Sequence, residues 1–507
     1  MNILFMSPEF FPFAKTSSLA DVSEAIAVSL VKKGLNVTAC LPYYKCVHKQ
    51  NLRMTGKIQK IEIEIPPECV KQFKGKKNLT RELKFFDVLP YKYKGVNIYF
   101  FKNDYLFNRE FIYGFTGEDY IDNLLRFSLF CQVGLIFFKD NNVKFDIIHA
   151  NDWQTALVPV FSKCKFKLHS KILLSIHNLY YQGIFSKEQF SCTGLNDSLF
   201  NPEGLGDFDR INILKGGIKY SDAVSTISKK YSEEIQTEES GFGLSGVLKN
   251  KGNIYGILNG VDYDEWNPQT DKYIDKNYNA ENFKTGKKSC KRDLLNLFFG
   301  KEKARPLFDK PLLGVLSKLE EQKGFDIFIK IIGNLVKNGC VIVVLGEGEK
   351  RLEDGFNKVA ETYPRNVSVK NIYDNQIAHK IRAGSDFLIM PSKYEPCGLN
   401  LMYGMKYGAI PIVSATGGLD DAVLNYDGTN LGAATGFKFY KFEASELGKT
   451  ILGAAGIYYN DKKTLNNIIT NAMSLNFSWD KRIDDYISLY NDMLIKLPPP
   501  VPVLYND

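Results

Sequence analysis

Residues 312–345 read LLGVLSKLEEQKGFDIFIKIIGNLVKNGCVIVVL. An apolar run at 312–317 leads through a polar turn into a helical pattern at 325–337, and a second apolar run follows at 341–345. Short apolar runs alternating with amphipathic stretches are the pattern of βαβ units and parallel sheet. The alternation continues with strand-like runs at 367–370, 387–390 and 411–413. The first half of the chain carries its own series at 2–7, 36–41, 145–149, 172–177 and 223–227, with helical patterns at 19–33 and 120–138. The rhythm breaks at 57–101, where period-two alternation at 61–65 and 96–101 predicts an antiparallel insertion with a long exposed loop. A polar, turn-rich stretch at 267–310, opened by Trp266-Asn267-Pro268, reads as an irregular connector. Two separate α/β rhythms predict two doubly wound domains, 1–255 and 256–480. A C-terminal helix near 481–496 and a proline-rich exposed end at 498–502 follow.

Composition narrows the class. The 507 residues are 44% hydrophobic and 24% charged, enough for two buried cores. The net charge of +8 comes mostly from scattered lysines, with one denser run at 71–77 (KQFKGKK) that reads as a solvated loop. No basic stripe interleaved with aromatics appears, so nucleic acid is not the expected partner. Nine cysteines without a CxxC pair point to a reducing compartment, and five histidines without a His/Cys cluster argue against a structural metal site. No basic leader with a long apolar stretch opens the chain, and no run of about 18 apolar residues exists. The expectation is a cytoplasmic protein with no membrane span.

In open α/β sheets, ligands bind beyond the carboxyl ends of the strands, and the chemically distinctive segments fall there. After the first strand comes Pro8-Glu-Phe-Phe-Pro-Phe-Ala-Lys15-Thr-Ser-Ser-Leu-Ala-Asp21, a lysine-bearing loop that opens a helix and suits an anion. Later strands end in His149-Ala-Asn-Asp-Trp153 and Ser175-Ile-His-Asn178-Leu-Tyr-Tyr-Gln-Gly183. These offer polar groups for sugar hydroxyls and an aromatic plate for a sugar's C–H face. In the second half, Lys318 and Lys323 in one turn can neutralise a diphosphate, and Gly346-Glu-Gly348 has small residues suited to close approach of a nucleotide. Pro391-Ser-Lys-Tyr-Glu395-Pro-Cys397-Gly398-Leu399, followed by Ala415-Thr-Gly-Gly-Leu419, joins a carboxylate to backbone N–H groups at a helix start. Each segment taken singly also fits an ordinary turn or cap.

Together, in order along nearly the whole chain, these segments resemble the bacterial glycogen synthase and plant starch synthase family of retaining GT-B glycosyltransferases. Asn259-Gly-Val-Asp262, Asp122-Asn123 and Arg126-Phe127 add to the match. The resemblance implies two Rossmann-like domains facing across a cleft. It also implies transfer of glucose from ADP-glucose to the non-reducing end of an α-1,4-glucan, with no metal and no cofactor. His149, Glu395, Lys323 and Lys318 would be the catalytic set, with His149 and Glu395 on the transferred glucose and Lys15 and Lys323 on the donor phosphates. Ser17, Ser18, Asn259, Gln322, Tyr373, Cys397, Gly398 and Leu399 would complete the donor site, with Tyr373 stacked on the base. Asp21, Asp122, Asn151, Trp153 and Asn178 would lie on the acceptor side.

Three departures from the family pattern surround one ligand. Ser17-Ser18 replace a glycine pair, Lys318 replaces an arginine, and Asn400-Leu401 replace Thr-Gln. Added Cβ atoms crowd a phosphate loop, and lysine lacks the bidentate fork of arginine. Two readings follow: an active synthase, or a weak or inactive paralogue serving as a glucan-binding or regulatory subunit. A sucrose- or lipid-linked transferase of the same architecture is disfavoured, because the second glutamate usual there is Tyr403 here.

Overall fold

The computed structural model describes residues 1–72, 79–115 and 118–496. Most of the basic run at 71–77 and the proline-rich end at 498–502 lie outside the described residues. The chain forms two compact units. The first comprises residues 1–227, 232–260 and the chain from 479 on; the second comprises 228–231 and 261–478. The division thus falls a few residues from the expected 255/256 and 480/481, which moves Asn259 into the first unit.

The first unit is built on a nine-stranded sheet. Its strands are β1 (Asn2–Met6), β2 (Asn36–Pro42), β3 (Gln59–Glu62), β4 (Phe85–Tyr93), β5 (Val96–Lys102), β6 (Ile147–Asn151), β7 (Lys171–Ile176), β8 (Ala223–Thr226) and β9 (Ile254–Gly256). Their order is β9-β8-β7-β6-β1-β2-β5-β4-β3. The expected insertion is antiparallel across β3, β4 and β5. It does not stand apart, because β5 pairs parallel with β2 and extends the main sheet. Helix α1 (Leu19–Lys32) joins β1 to β2, and α2 (Asn123–Asp140) precedes β6. The order reverses around β1, with β2 on one side and β6 on the other. The loops after β1 and β6 therefore flank the switch point where such sheets bind ligands.

The second unit carries a six-stranded parallel sheet. Its strands are β10 (Leu312–Leu316), β11 (Val341–Leu345), β12 (Val367–Lys370), β13 (Phe387–Met390), β14 (Ile410–Ser414) and β15 (Phe437–Phe439), in the order β12-β11-β10-β13-β14-β15. Its switch point lies between β10 and β13. The stretch read as an irregular connector holds a 17-residue helix, α3 (Phe283–Phe299). Its lysines disguise an apolar face of Phe283, Cys290, Leu294 and Leu295, all buried. Lys287, on the same face, is buried and donates to the carbonyls of Ala383, Ser385 and Tyr407 at 3.1, 2.9 and 3.2 Å. Burial pushes its ammonium down to about 8. Helix α4 (Phe325–Lys337) follows β10, and α5 (Leu399–Lys406) follows β13.

After the second unit the chain supplies one more helix to the first, α6 (Trp479–Lys496). An ion pair of 2.6 Å joins its Asp484 to Lys33 at the end of α1. Its Tyr490 donates to, or accepts from, His149 Nδ1 at 2.8 Å. Among the described residues, no helix is long and apolar enough to cross a membrane.

Candidate active site

The loop after β1 is organised by a residue that motif reading passed over. The buried Glu9 carboxylate accepts the N–H of Thr16 at 2.6 Å and its hydroxyl at 2.8 Å. It also accepts the N–H of Ser17 at 2.9 Å, its hydroxyl at 3.1 Å, and the Tyr113 phenol at 2.8 Å. Two backbone N–H groups of the loop thus point inward at a carboxylate. Ser17 is compatible with that geometry: its hydroxyl adds a bond to Glu9 and accepts from the Leu19 N–H at 3.2 Å. Ser18 is exposed and makes no side-chain cap on α1. Lys15 pairs with Asp21 at 2.7 Å, each about half exposed.

Strand β6 ends in Asn151, buried, whose Nδ2 donates to the Met6 carbonyl at 3.0 Å. That bond turns its Oδ1 toward His177 Nε2, 3.0 Å away. The His177 proton therefore sits on Nε2, which leaves Nδ1 as the basic nitrogen. Asp152 holds a left-handed backbone with φ 56 and accepts the His177 N–H at 2.7 Å. Desolvation, then the nearby Glu9 charge, pushes the Asp152 carboxyl up to about 7, and burial pushes His177 down to about 4. Asp152 and His177 stand at the carboxyl ends of adjacent strands, a place the sequence pattern gives to functional groups.

Other expected residues of this unit are placed differently. His149 lies inside β6, fully buried, with Nδ1 on Tyr490 and Nε2 on Ser175 Oγ at 2.6 Å. Burial, then the nearby His177, drives it down to about 3. A ring with both nitrogens occupied in the core has no face for a sugar, so the structure places His149 in a structural network. Trp153 is only 7% exposed. Its ring packs on Phe127 and Phe185 and lies so close beneath Gly183 that a Cβ there would come within 2.4 Å. It is therefore not the open aromatic plate expected. Asp122 is buried and held by both Nη atoms of Arg109 at 2.7 and 2.5 Å. Asn178 is half-buried, and its Oδ1 accepts the Tyr180 N–H at 3.1 Å. Asn259 is buried, and its side-chain oxygen has no hydrogen-bond partner among the described residues.

In the second unit the turns after β10 and β13 meet. Gln322 donates to the Tyr394 carbonyl at 3.1 Å, and the Lys393 N–H donates back to Gln322 at 2.9 Å. Lys323 reaches Glu395 Oε2 at 2.6 Å, and the Ser392 hydroxyl donates to the same oxygen at 3.0 Å. Both partners are largely buried. A third turn closes on this pair, with Gly418 N–H donating to the Glu395 carbonyl at 2.9 Å. Gly417, at φ 44, approaches so closely that a Cβ would sit 2.1 Å from that carbonyl. Cys397 is buried, Gly398 takes a left-handed φ of 84, and Leu399 opens α5. Tyr373 is 78% exposed. Lys318 is exposed and pairs with Glu320 at 2.8 Å. Asn400, one of the departures, accepts from the buried Arg382 at 2.7 Å.

A family model described as the starch synthase catalytic domain matches residues 2–250, and one described as glycosyl transferases group 1 matches 300–473. The glycogen synthase of Thermotoga petrophila is 39% identical over 98% of this chain and all of its own length. The chain belongs to the glycogen and starch synthase family. The glycogen synthase of Fervidobacterium nodosum is likewise 39% identical, over 97% of this chain and 98% of its own. The catalytic domain of starch synthase IV from Arabidopsis thaliana, solved with ADP and acarbose, shares 29% identity at a TM-score of 0.81. The match covers 97% of this chain and 99% of that one. The sucrose-phosphate synthase of Thermosynechococcus elongatus, at 14% identity and a TM-score of 0.56, shares the GT-B fold alone. The chain is thus a glycosyltransferase of the synthase type, and no finding favours a paralogue without activity.

Proposed function

We propose that this chain transfers glucose from ADP-glucose to the non-reducing end of an α-1,4-glucan with retention, in the cytoplasm, without metal or cofactor. The observation that carries the reading is the Lys323–Glu395 pair of 2.6 Å at the switch point of the second sheet. As the bond from glucose to diphosphate breaks, negative charge grows on the leaving oxygen. A lysine held in place beforehand meets that charge with little reorganisation. An ammonium has three donors, so Lys323 keeps donors for a phosphate oxygen while bound to Glu395. The carboxylate in turn accepts from sugar hydroxyls, and the exposed Tyr373 ring offers a face to a purine. In the first unit, Lys15 offers a cation beyond β1 and His177 a neutral imidazole beyond β7. Departure and attack on the same face of the sugar account for retention, with positioning supplying much of the rate. ADP on the Arabidopsis relative supports adenine over uracil.

Labelled ADP-glucose and UDP-glucose, each with glycogen and EDTA, test the reading. Incorporation from ADP-glucose is expected, unaffected by EDTA and lower by about a hundredfold or more in Glu395→Ala. Incorporation no higher than in Glu395→Ala would overturn it.

A further inference from the structure

With Trp153 packed away, one exposed aromatic corner of the first unit lies just beyond β7. Tyr180 and Tyr181 are 57% and 61% exposed, three and four residues beyond His177, and Phe242 joins them at 36%. The Tyr180 ring stands perpendicular to both neighbours, with centroids 5.2 Å from Tyr181 at 90° and 5.6 Å from Phe242 at 87°. The corner is held in place from behind. Tyr180 and Tyr181 donate their N–H groups to the side chain and carbonyl of Asn178, and the buried Gln182 ties the second loop to the first. Gln182 Nε2 donates to the Phe242 carbonyl at 2.9 Å, while its Oε1 accepts from Asn212 at 2.6 Å. Phe242 keeps a φ of 45, a backbone region that bulky side chains rarely adopt. Strained residues held by their surroundings concentrate at ligand clamps.

We propose that Tyr180, Tyr181 and Phe242 form a binding ledge for the growing α-1,4-glucan, continuous with the His177–Asn178 loop. Glucosyl units present C–H faces that pack on aromatic rings, and their hydroxyls pair with the Asn178 amide. The α-1,4 linkage coils the chain, so successive units turn their faces in different directions. Rings set at right angles suit such a coil, whereas a flat β-1,4 ribbon wants coplanar rings. The inference rests on the acceptor being an α-1,4-glucan.

The test uses the full chain with Tyr180→Ala, Phe242→Ala and Tyr180→Phe. Maltoheptaose binding is measured calorimetrically without donor, with cellohexaose as the β-linked control, and KM is measured separately for glycogen and ADP-glucose. Losing one ring of such a contact is expected to weaken maltoheptaose binding and raise KM for glycogen by about five- to thirtyfold. KM for ADP-glucose and the melting temperature should stay at wild-type values, Tyr180→Phe should retain binding, and cellohexaose should not bind. Maltoheptaose affinity and glycogen KM within twofold of wild type in both alanine variants would overturn the ledge while leaving the transferase reading intact. Ring-dependent maltoheptaose binding by a chain that transfers no glucose would overturn the transferase reading and keep the ledge. Equal affinity for cellohexaose would overturn the ledge as an α-glucan site.

Discussion

Glu9 shows how much one buried carboxylate governs. It gathers five donors from three residues, about the capacity of its two oxygens. Both backbone N–H groups fall on Oε2 and the three hydroxyls on Oε1, so Glu9→Ala leaves the N–H groups of Thr16 and Ser17 without their acceptor. A buried donor left unmet costs about 1–3 kcal/mol. We expect KM for ADP-glucose to rise about tenfold as the Lys15 loop loosens, with the KM for glycogen little changed. Equal donor KM in wild type and variant would show that the loop does not depend on Glu9. The same residue explains what motif reading gets wrong. The glycine pair that the family pattern has where Ser17 and Ser18 stand suggests N–H groups turned toward a phosphate, yet in this chain the N–H groups of Thr16 and Ser17 face Glu9. Glu9 left no signal in the sequence, because an acidic residue in a loop after a strand reads as solvated.

At the scale of elements, a two-residue offset decides which histidine stands beyond a strand end. The apolar run at 145–149 places His149 at the end of a strand, but β6 runs Ile147–Asn151 and carries His149 into its middle. The run at 172–177 overshoots β7 by one residue instead, and His177 becomes the first group beyond it. Hydrophobicity marks where strands lie better than where they stop, since a buried loop at a sheet's end is apolar too. Most strands of the second sheet, by contrast, were legible nearly to the residue because polar turns bound them. Helix α3 was hidden by lysines, some of which cap carbonyls rather than meet water. Helix α6 leans on the misplaced histidine. Tyr490→Phe removes the hydroxyl on His149 and leaves a buried ring nitrogen unmet. The cost should be about 1–3 kcal/mol in urea unfolding, and an unchanged midpoint would rule out the bond as a support of α6.

For the whole molecule, the buried titratable groups set the response to acid. Folded, His149 and His177 take up protons only near about 3 and about 4, whereas an unfolded histidine does so near about 6.5. Between these limits the unfolded chain binds more protons, so their contribution to stability is lost as pH falls from about 6.5 toward 4. Asp152 acts in the other direction. Raised to about 7, it stays protonated in the folded chain where an unfolded aspartate is ionised, so its contribution is lost as pH rises from about 4 to 7. Two histidines outweigh one carboxyl below pH 6.5. The melting temperature should therefore fall between pH 6.5 and 4.5, and fall more steeply in Asp152→Asn, whose amide still accepts the His177 N–H. A variant with a shallower slope than wild type would contradict this balance. The two-rhythm architecture itself was plain in the sequence, because the alternation of strand and helix repeats too often to arise otherwise.

The first unit is also interrupted: more than two hundred residues of the second separate its body from α6. During synthesis the body leaves the ribosome first, yet the helix that supplies Tyr490 emerges only after the second unit. At roughly 5–20 residues per second, that delay lasts on the order of 10–40 seconds. For that time the nascent chain displays the His149 nitrogen that Tyr490 later meets. A ribosome that stalls before residue 479 leaves the first unit without α6 and its Tyr490 bond to His149.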